Sequence, residues 1–217
     1  MMSELLDNMS FFAQKNVDLA NLNYPLKFTF KIGTMSNDFV IEDANSATLA
    51  YVRQKMFKFI DEIQVFTDTN KTNLEFTIKA NKWIDFSATY VFTDKNGVEK
   101  GRVARKGWAS IWRARYDVYD HNEHLAFHIM EENAWAKVFD TLMSEVPVLG
   151  MFTGYLFNPK YIVGRPDGSK VMRLKKNASM FGRKFTLEKI GPTHNAAEDE
   201  CIVLSLMMMI LLERRRG

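Results

Sequence analysis

The chain has 217 residues, 47% of them hydrophobic and 25% charged, with 29 Lys and Arg against 26 Asp and Glu and a formal net charge of +3. That apolar share is ordinary for a globular protein and supplies a sizeable core, and so small a charge excess does not announce a nucleic-acid binder. The single cysteine excludes an internal disulfide and fits a reducing compartment.

Residues 1–23 carry Leu5, Leu6, Met9, Phe11 and Phe12 without a basic leader or a long apolar run. They predict an arm or a short helix rather than a secretory signal, with a cytoplasmic location as the default. From Tyr24 the pattern has period two. Leu26, Phe28, Phe30 and Ile32 alternate with Lys27, Thr29 and Lys31, and Leu74, Phe76, Ile78 and Ala80 alternate with Glu75, Thr77 and Lys79. Phe86, Ala88, Tyr90 and Phe92 repeat the alternation, Val91 excepted. One apolar and one polar face marks antiparallel strands with a core on one side and water on the other. Further strands are predicted over 38–42, 48–55, 62–67, 124–130, 161–165, 170–175 and 182–190. Lys95-Asn96-Gly97 and Pro166-Asp167-Gly168 have the residues that tight hairpins require, and the polar run 120–123 links two more strands.

Over 134–145 the period changes to 3.6, with Trp135, Val138, Phe139, Leu142 and Met143 on one stripe and Pro147 after it. This predicts an amphipathic helix across an end of the sheet. A second helix is predicted over 195–215. Asn195 with Glu198 fits a capping box, Asp199 and Glu200 suit the first turn, and Arg214, Arg215 and Arg216 suit the last. From Cys201 to Leu212 the only polar residue is Ser205, so this helix is apolar on every side and must be surrounded. Twelve residues rise only ~18 Å, short of the ~30 Å of hydrocarbon that a membrane span crosses. No transmembrane span is expected, and Cys201 reads as a small buried hydrophobe.

A long antiparallel sheet hides one apolar face by closing around a filler. The expected fold is therefore mainly β: a closed antiparallel barrel of about twelve strands around a central hydrophobic C-terminal helix, forming one domain over 24–217. The alternative is a β-sandwich with the helix on its outside, which leaves half of the rod exposed.

Several segments also carry a resemblance. Tyr51-Val-Arg-Gln-Lys-Met-Phe-Lys-Phe leads into Ile63-Gln-Val-Phe-Thr-Asp, and Val103-Ala-Arg-Lys-Gly-Trp-Ala-Ser-Ile-Trp forms a second basic pair. Ser169-Lys-Val-Met-Arg-Leu-Lys-Lys and the acidic-then-apolar C-terminal helix follow. In pattern and order, residues 49–214 resemble the LURP-one-related family. The resemblance implies the tubby C-terminal-like fold shared with tubby proteins and phospholipid scramblases, a twelve-stranded barrel around a hydrophobic helix. Tubby proteins bind phosphoinositides at the barrel surface, scramblases are calcium-linked membrane proteins, and many LURP-one-related members have no established activity. This chain lacks the Cys-rich segments of scramblases, and Glu198-Asp199-Glu200 lacks the spaced oxygen ligands of a calcium loop. Scrambling is not expected of it.

The most informative polar feature is the basic hairpin. A turn at Gly107-Trp108 would place Arg102 opposite Arg113 and Lys100 opposite Arg115, with Val103 facing Trp112 and Gly101 facing Ala114 on the inner side. Like charges opposed across strands destabilise, so these cations imply either an anionic partner or carboxylates from a neighbouring strand. A second basic patch is expected on the Asp167-Gly168 hairpin, with Lys160 facing Lys175 and Ile162 facing Arg173. His124 and His128 fall on the outer face, ~14 Å apart on a strand, too far to share a metal ion. No phosphate loop, nucleophile elbow or zinc spacing occurs, so no metal, no cofactor and no enzymatic activity are expected. The expected function is a non-enzymatic binding module docking anionic membrane lipid, such as phosphoinositide, or another phosphate-bearing partner through Lys100, Arg102, Arg113 and Arg115. That would place it peripherally at the inner membrane face. The alternative is a protein-interaction scaffold with no small ligand.

Overall fold

A computed structural model describes residues 22–31, 37–55, 62–81, 89–106, 115–132, 159–178 and 184–214. The strands come in chain order: β1 Leu26–Phe30, β2 Phe39–Glu42, β3 Thr48–Lys55, β4 Glu62–Phe66, β5 Leu74–Asn81 and β6 Thr89–Asp94. They continue as β7 Glu99–Arg105, β8 Arg115–Tyr119, β9 Leu125–Glu131, β10 Lys160–Gly164, β11 Lys170–Asn177 and β12 Lys184–Lys189. Each pairs antiparallel with its neighbour in sequence, and β1 pairs with both β2 and β12, closing a twelve-stranded barrel. Closure leaves no free edge among the twelve described strands, so none of them is left to recruit another chain.

Alternation decides what points inward. Leu26 and Phe28 on β1, Ile63 and Val65 on β4, Phe127 and Ile129 on β9 and Leu187 on β12 meet in one buried cluster. The helix α1, Ala196–Arg214, fills the same cluster, and every residue from Cys201 to Leu212 is buried. An apolar rod with no hydrophilic face is enclosed on all sides, as its sequence requires. The sandwich alternative is thereby excluded. Ser205, the polar exception, donates its hydroxyl to the Cys201 carbonyl at 2.8 Å and so needs no other partner. Burial pushes the Cys201 thiol up to about 12, in keeping with a packing role.

One rim of the barrel is built on aspartates. In the β2–β3 hairpin the Asp43 carboxylate accepts N–H bonds from Asn45 and Ala47 at 2.9 and 2.8 Å. Asp94 does the same for Asn96 and Val98 between β6 and β7, and Asp120 for Asn122 and His124 between β8 and β9, all at 2.9 Å. Asp68 holds Thr72 and Asn73, and Asp167 holds Ser169. A short carboxylate that caps its own turn fixes the hairpin locally, without help from the core.

Four expectations are corrected or left aside. The β7–β8 pair runs Arg102 to Tyr119, Val103 to Val118, Ala104 to Asp117 and Arg105 to Tyr116, so the turn is not centred on Gly107-Trp108. Arg102 does not face Arg113, nor Gly101 Ala114. The strand expected over 86–93 is described from Thr89, only Leu22 and Asn23 of the arm expected over 1–23 are described, and the amphipathic helix expected over 134–145 lies outside the described residues.

Candidate functional site

The outer wall carries the charged side chains, and strand register decides which of them meet. On β6–β9 the cations expected to repel one another are separated and supplied with carboxylates. Arg102 holds Glu99 through Nε and Nη2 at 2.9 and 2.8 Å, and Nη2 also reaches Glu123 at 2.8 Å. Lys100 lies 3.4 Å from Asp94. Arg115 donates to Asp117 at 3.1 Å, while Arg113 lies outside the described residues. Between the two explanations open from the sequence, neighbouring carboxylates account for Lys100, Arg102 and Arg115.

Asp117 is the centre of this wall. It is almost fully buried although it points away from the core, with His128 Nδ1 at 2.7 Å, Arg115 beside it and Lys106 at 3.6 Å. Burial alone would push its carboxyl up, but the His128 hydrogen bond and the Arg115 charge outweigh that and hold it below the usual range. His124 instead lies near Asp120, at 3.7 Å, so the two histidines serve different carboxylates.

The second basic patch has the expected register. Lys160 faces Lys175 and Ile162 faces Arg173 across β10–β11. Lys175 reaches Glu188 at 2.7 Å, and Arg173 reaches Glu132 at 2.9 Å with Glu188 at 3.9 Å. The patch is also wider than the sequence suggested. Lys175 faces Thr186 on β12 and Thr186 faces Lys27 on β1, so Lys160, Lys175, Thr186 and Lys27 form one outer row across four strands. Lys184 stands two residues before Thr186 on the same face. Lys27, Lys160 and Lys184 are exposed and have no ion pair among the described residues. Period-two alternation had marked Lys27 as outward; its neighbours in space needed the β1–β12 closure.

At the aspartate rim, α1 is fastened by its first-turn carboxylates. Asn195 caps the Glu198 N–H at 3.0 Å, the first half of the expected capping box. Glu198 does not complete it; its carboxylate accepts the His194 N–H at 2.9 Å and a two-pronged grip from Arg165 at 3.0 and 2.8 Å. Asp199 accepts from Tyr24 at 3.1 Å and Lys189 at 3.0 Å. Burial pushes the Glu198 carboxyl up, but the Arg165 and His194 hydrogen bonds overcome this and bring it down from 4.5 to about 2. A carboxyl lowered on folding stabilises the fold above its unfolded pKa and loses that contribution as pH falls through the folded value. Wild type should therefore lose about 2 kcal/mol of unfolding free energy between pH 4.5 and 2 from this group, which is 20% exposed. Glu198→Gln should be less stable near neutrality and show a flatter slope in that window, read by urea unfolding at several pH values.

Among the described residues no group of three or more His, Cys, Asp or Glu side chains is placed to hold a metal ion, and no helix is long and apolar enough to cross a membrane. The LURP-one-related family model matches residues 48–210 of the chain. No curated protein and no solved structure matches it.

Proposed function

The chain belongs to the LURP-one-related family, and from that premise we propose that its barrel is a non-enzymatic binding module that docks an anionic, phosphate-bearing partner on its outer wall. The ligand class that fits best is the anionic phospholipid headgroup, phosphoinositides included, which implies a cytoplasmic protein held peripherally at the inner membrane face. The observation that carries the reading is the row Lys160, Lys175, Thr186 and Lys27, with Lys184 beside it. Like charges opposed at Lys160 and Lys175 oppose folding unless something anionic is shared between them. Glu188, which already serves Lys175 and Arg173, is too little to neutralise the row. Lysines at a charged membrane surface contribute ~1 kcal/mol each.

A protein-interaction scaffold is the second reading, favoured by the carboxylates that already occupy Lys100, Arg102 and Arg115. Sedimentation with vesicles separates the two. The full chain should bind vesicles containing phosphatidylserine or a phosphoinositide, bind neutral phosphatidylcholine vesicles weakly, and release as salt rises. The quadruple variant Lys27→Gln, Lys160→Gln, Lys175→Gln, Lys184→Gln should bind about tenfold more weakly or worse. Neutralising Lys100, Arg102, Arg113 and Arg115 should cost less, because Lys100, Arg102 and Arg115 must first give up their own carboxylates. Equal, weak binding to neutral and anionic vesicles overturns the lipid reading in favour of the scaffold.

A further inference from the structure

Arg105 closes β7 on the opposite face from the lysine row. Val103, two residues before it, and Tyr116, its cross-strand partner, are both fully buried in the core, so Arg105 points into the barrel. Its Nε and Nη2 are buried and have no hydrogen-bond partner among the described residues. These atoms form one edge of the guanidinium, the edge through which Arg102 grips Glu99. It is the edge that meets a carboxylate or phosphate with two parallel N–H bonds.

The described residues do not supply that acceptor. Asp117, the carboxylate nearest along the strand pair, lies on the outer wall and is taken by His128, Arg115 and Lys106. Glu131, the inward carboxylate on β9, is two strands away, roughly 10 Å. An uncompensated buried charge is unfavourable, so this edge calls for an anionic acceptor. Arg105 is only half-buried as a residue, so part of its side chain reaches solvent at this end of β7.

Charge narrows the guest. One guanidinium offers a single positive charge, so a monoanion is matched while a doubly charged guest leaves an uncompensated charge inside the barrel. We propose that Arg105 is a binding site for a small, singly charged oxyanion, a carboxylate, gripped side-on by Nε and Nη2 just inside the barrel mouth. The site is independent of the lysine row and survives if that row binds nothing.

The test uses the full chain and acetate as the probe, with chloride at equal ionic strength as the control and inorganic phosphate as a second arm. Acetate should raise the wild-type melting temperature above the chloride control. Arg105→Met should abolish the rise, and Arg105→Lys, which keeps the charge but not the fork, should reduce it at least about fivefold. If neither variant folds, the Arg105 Nε–H resonance of the wild type is followed instead, and it should shift on acetate addition and saturate. No acetate-specific change in melting or resonance, or an equal rise in Arg105→Met, overturns the site. A larger rise with phosphate than with acetate overturns the assignment to a singly charged guest.

Discussion

Met208→Asp is expected to yield no cooperatively folded protein. Met208 is fully buried, and so are its neighbours Ile202 to Leu204, Leu206, Met207, Met209 and Leu211, which together cover every side of α1. A carboxylate at this position has no direction in which to reach water. Ionised, it faces a desolvation penalty of several kcal/mol. Neutralised, it needs a pKa raised by roughly 3–5 units, at 1.36 kcal/mol each. Losing the methionine's packing adds about 2–5 kcal/mol. Those sums rival the whole stability of a typical domain, ~5–15 kcal/mol. Ser205 shows what the interior tolerates, a hydroxyl that donates to the preceding turn at 2.8 Å, whereas an ionised aspartate only accepts. Met208→Leu, which keeps the volume, should stay within about 1.5 kcal/mol of wild type. Thermal melting followed by circular dichroism reads both. A cooperative transition for Met208→Asp near that of the wild type would mean that the rod is not enclosed.

The same rod made the architecture readable from sequence. A helix with no polar side and too few residues to span a bilayer leaves enclosure as its remaining solution, and the period-two runs supply the enclosing wall. Register is a different matter. At Pro166-Asp167-Gly168 the turn residues dictate the hairpin, and Lys160 faces Lys175 as expected. At Gly107-Trp108 they do not, and Arg102 pairs six residues further along, with Tyr119 in place of Arg113. Alternation cannot detect that slip, since a shift by an even number of residues leaves every side chain on its original face. Tyr116 and Val118 point inward and Arg115 outward in either register. The in-and-out assignment therefore survived while the partners changed, and the partners decide whether a cation is spare. The carboxylates that answer Arg102 arrive from the β6–β7 turn region and from the turn after β8, as Glu99 and Glu123. Lys27 joins the lysine row only through the closure of the first strand on the last, a contact between the two ends of the chain that no local pattern encodes.

Gly101→Ala is the second substitution expected to act strongly, and it probes where the wall touches the rod. β7 carries an irregularity here: Phe92 pairs with Gly101 and Thr93 with Glu99, which leaves Lys100 as the extra residue of a bulge. Gly101 has φ +143, a backbone conformation that side chains rarely adopt. A Cβ placed there would stand 2.6 Å from the Tyr119 carbonyl oxygen and 2.8 Å from Cys201 Sγ. The first neighbour is backbone in a paired strand and the second belongs to a helix packed on all sides, so neither yields by a simple rotation. Strain of this kind falls in the upper part of the range for point mutants, about 3–4 kcal/mol, with a fall in melting temperature of several degrees. The two contacts can be separated. Cys201→Ala alone should cost about 1 kcal/mol or less through lost packing. Combined with Gly101→Ala it should recover part of the loss, because the sulfur contact is gone while the carbonyl contact and the backbone strain remain. Non-additivity of that sign in a double-mutant cycle, read by urea unfolding, locates the pressure between β7 and α1. Strict additivity would mean that α1 does not press on the wall at Gly101, and that the close fit of rod to barrel is made elsewhere.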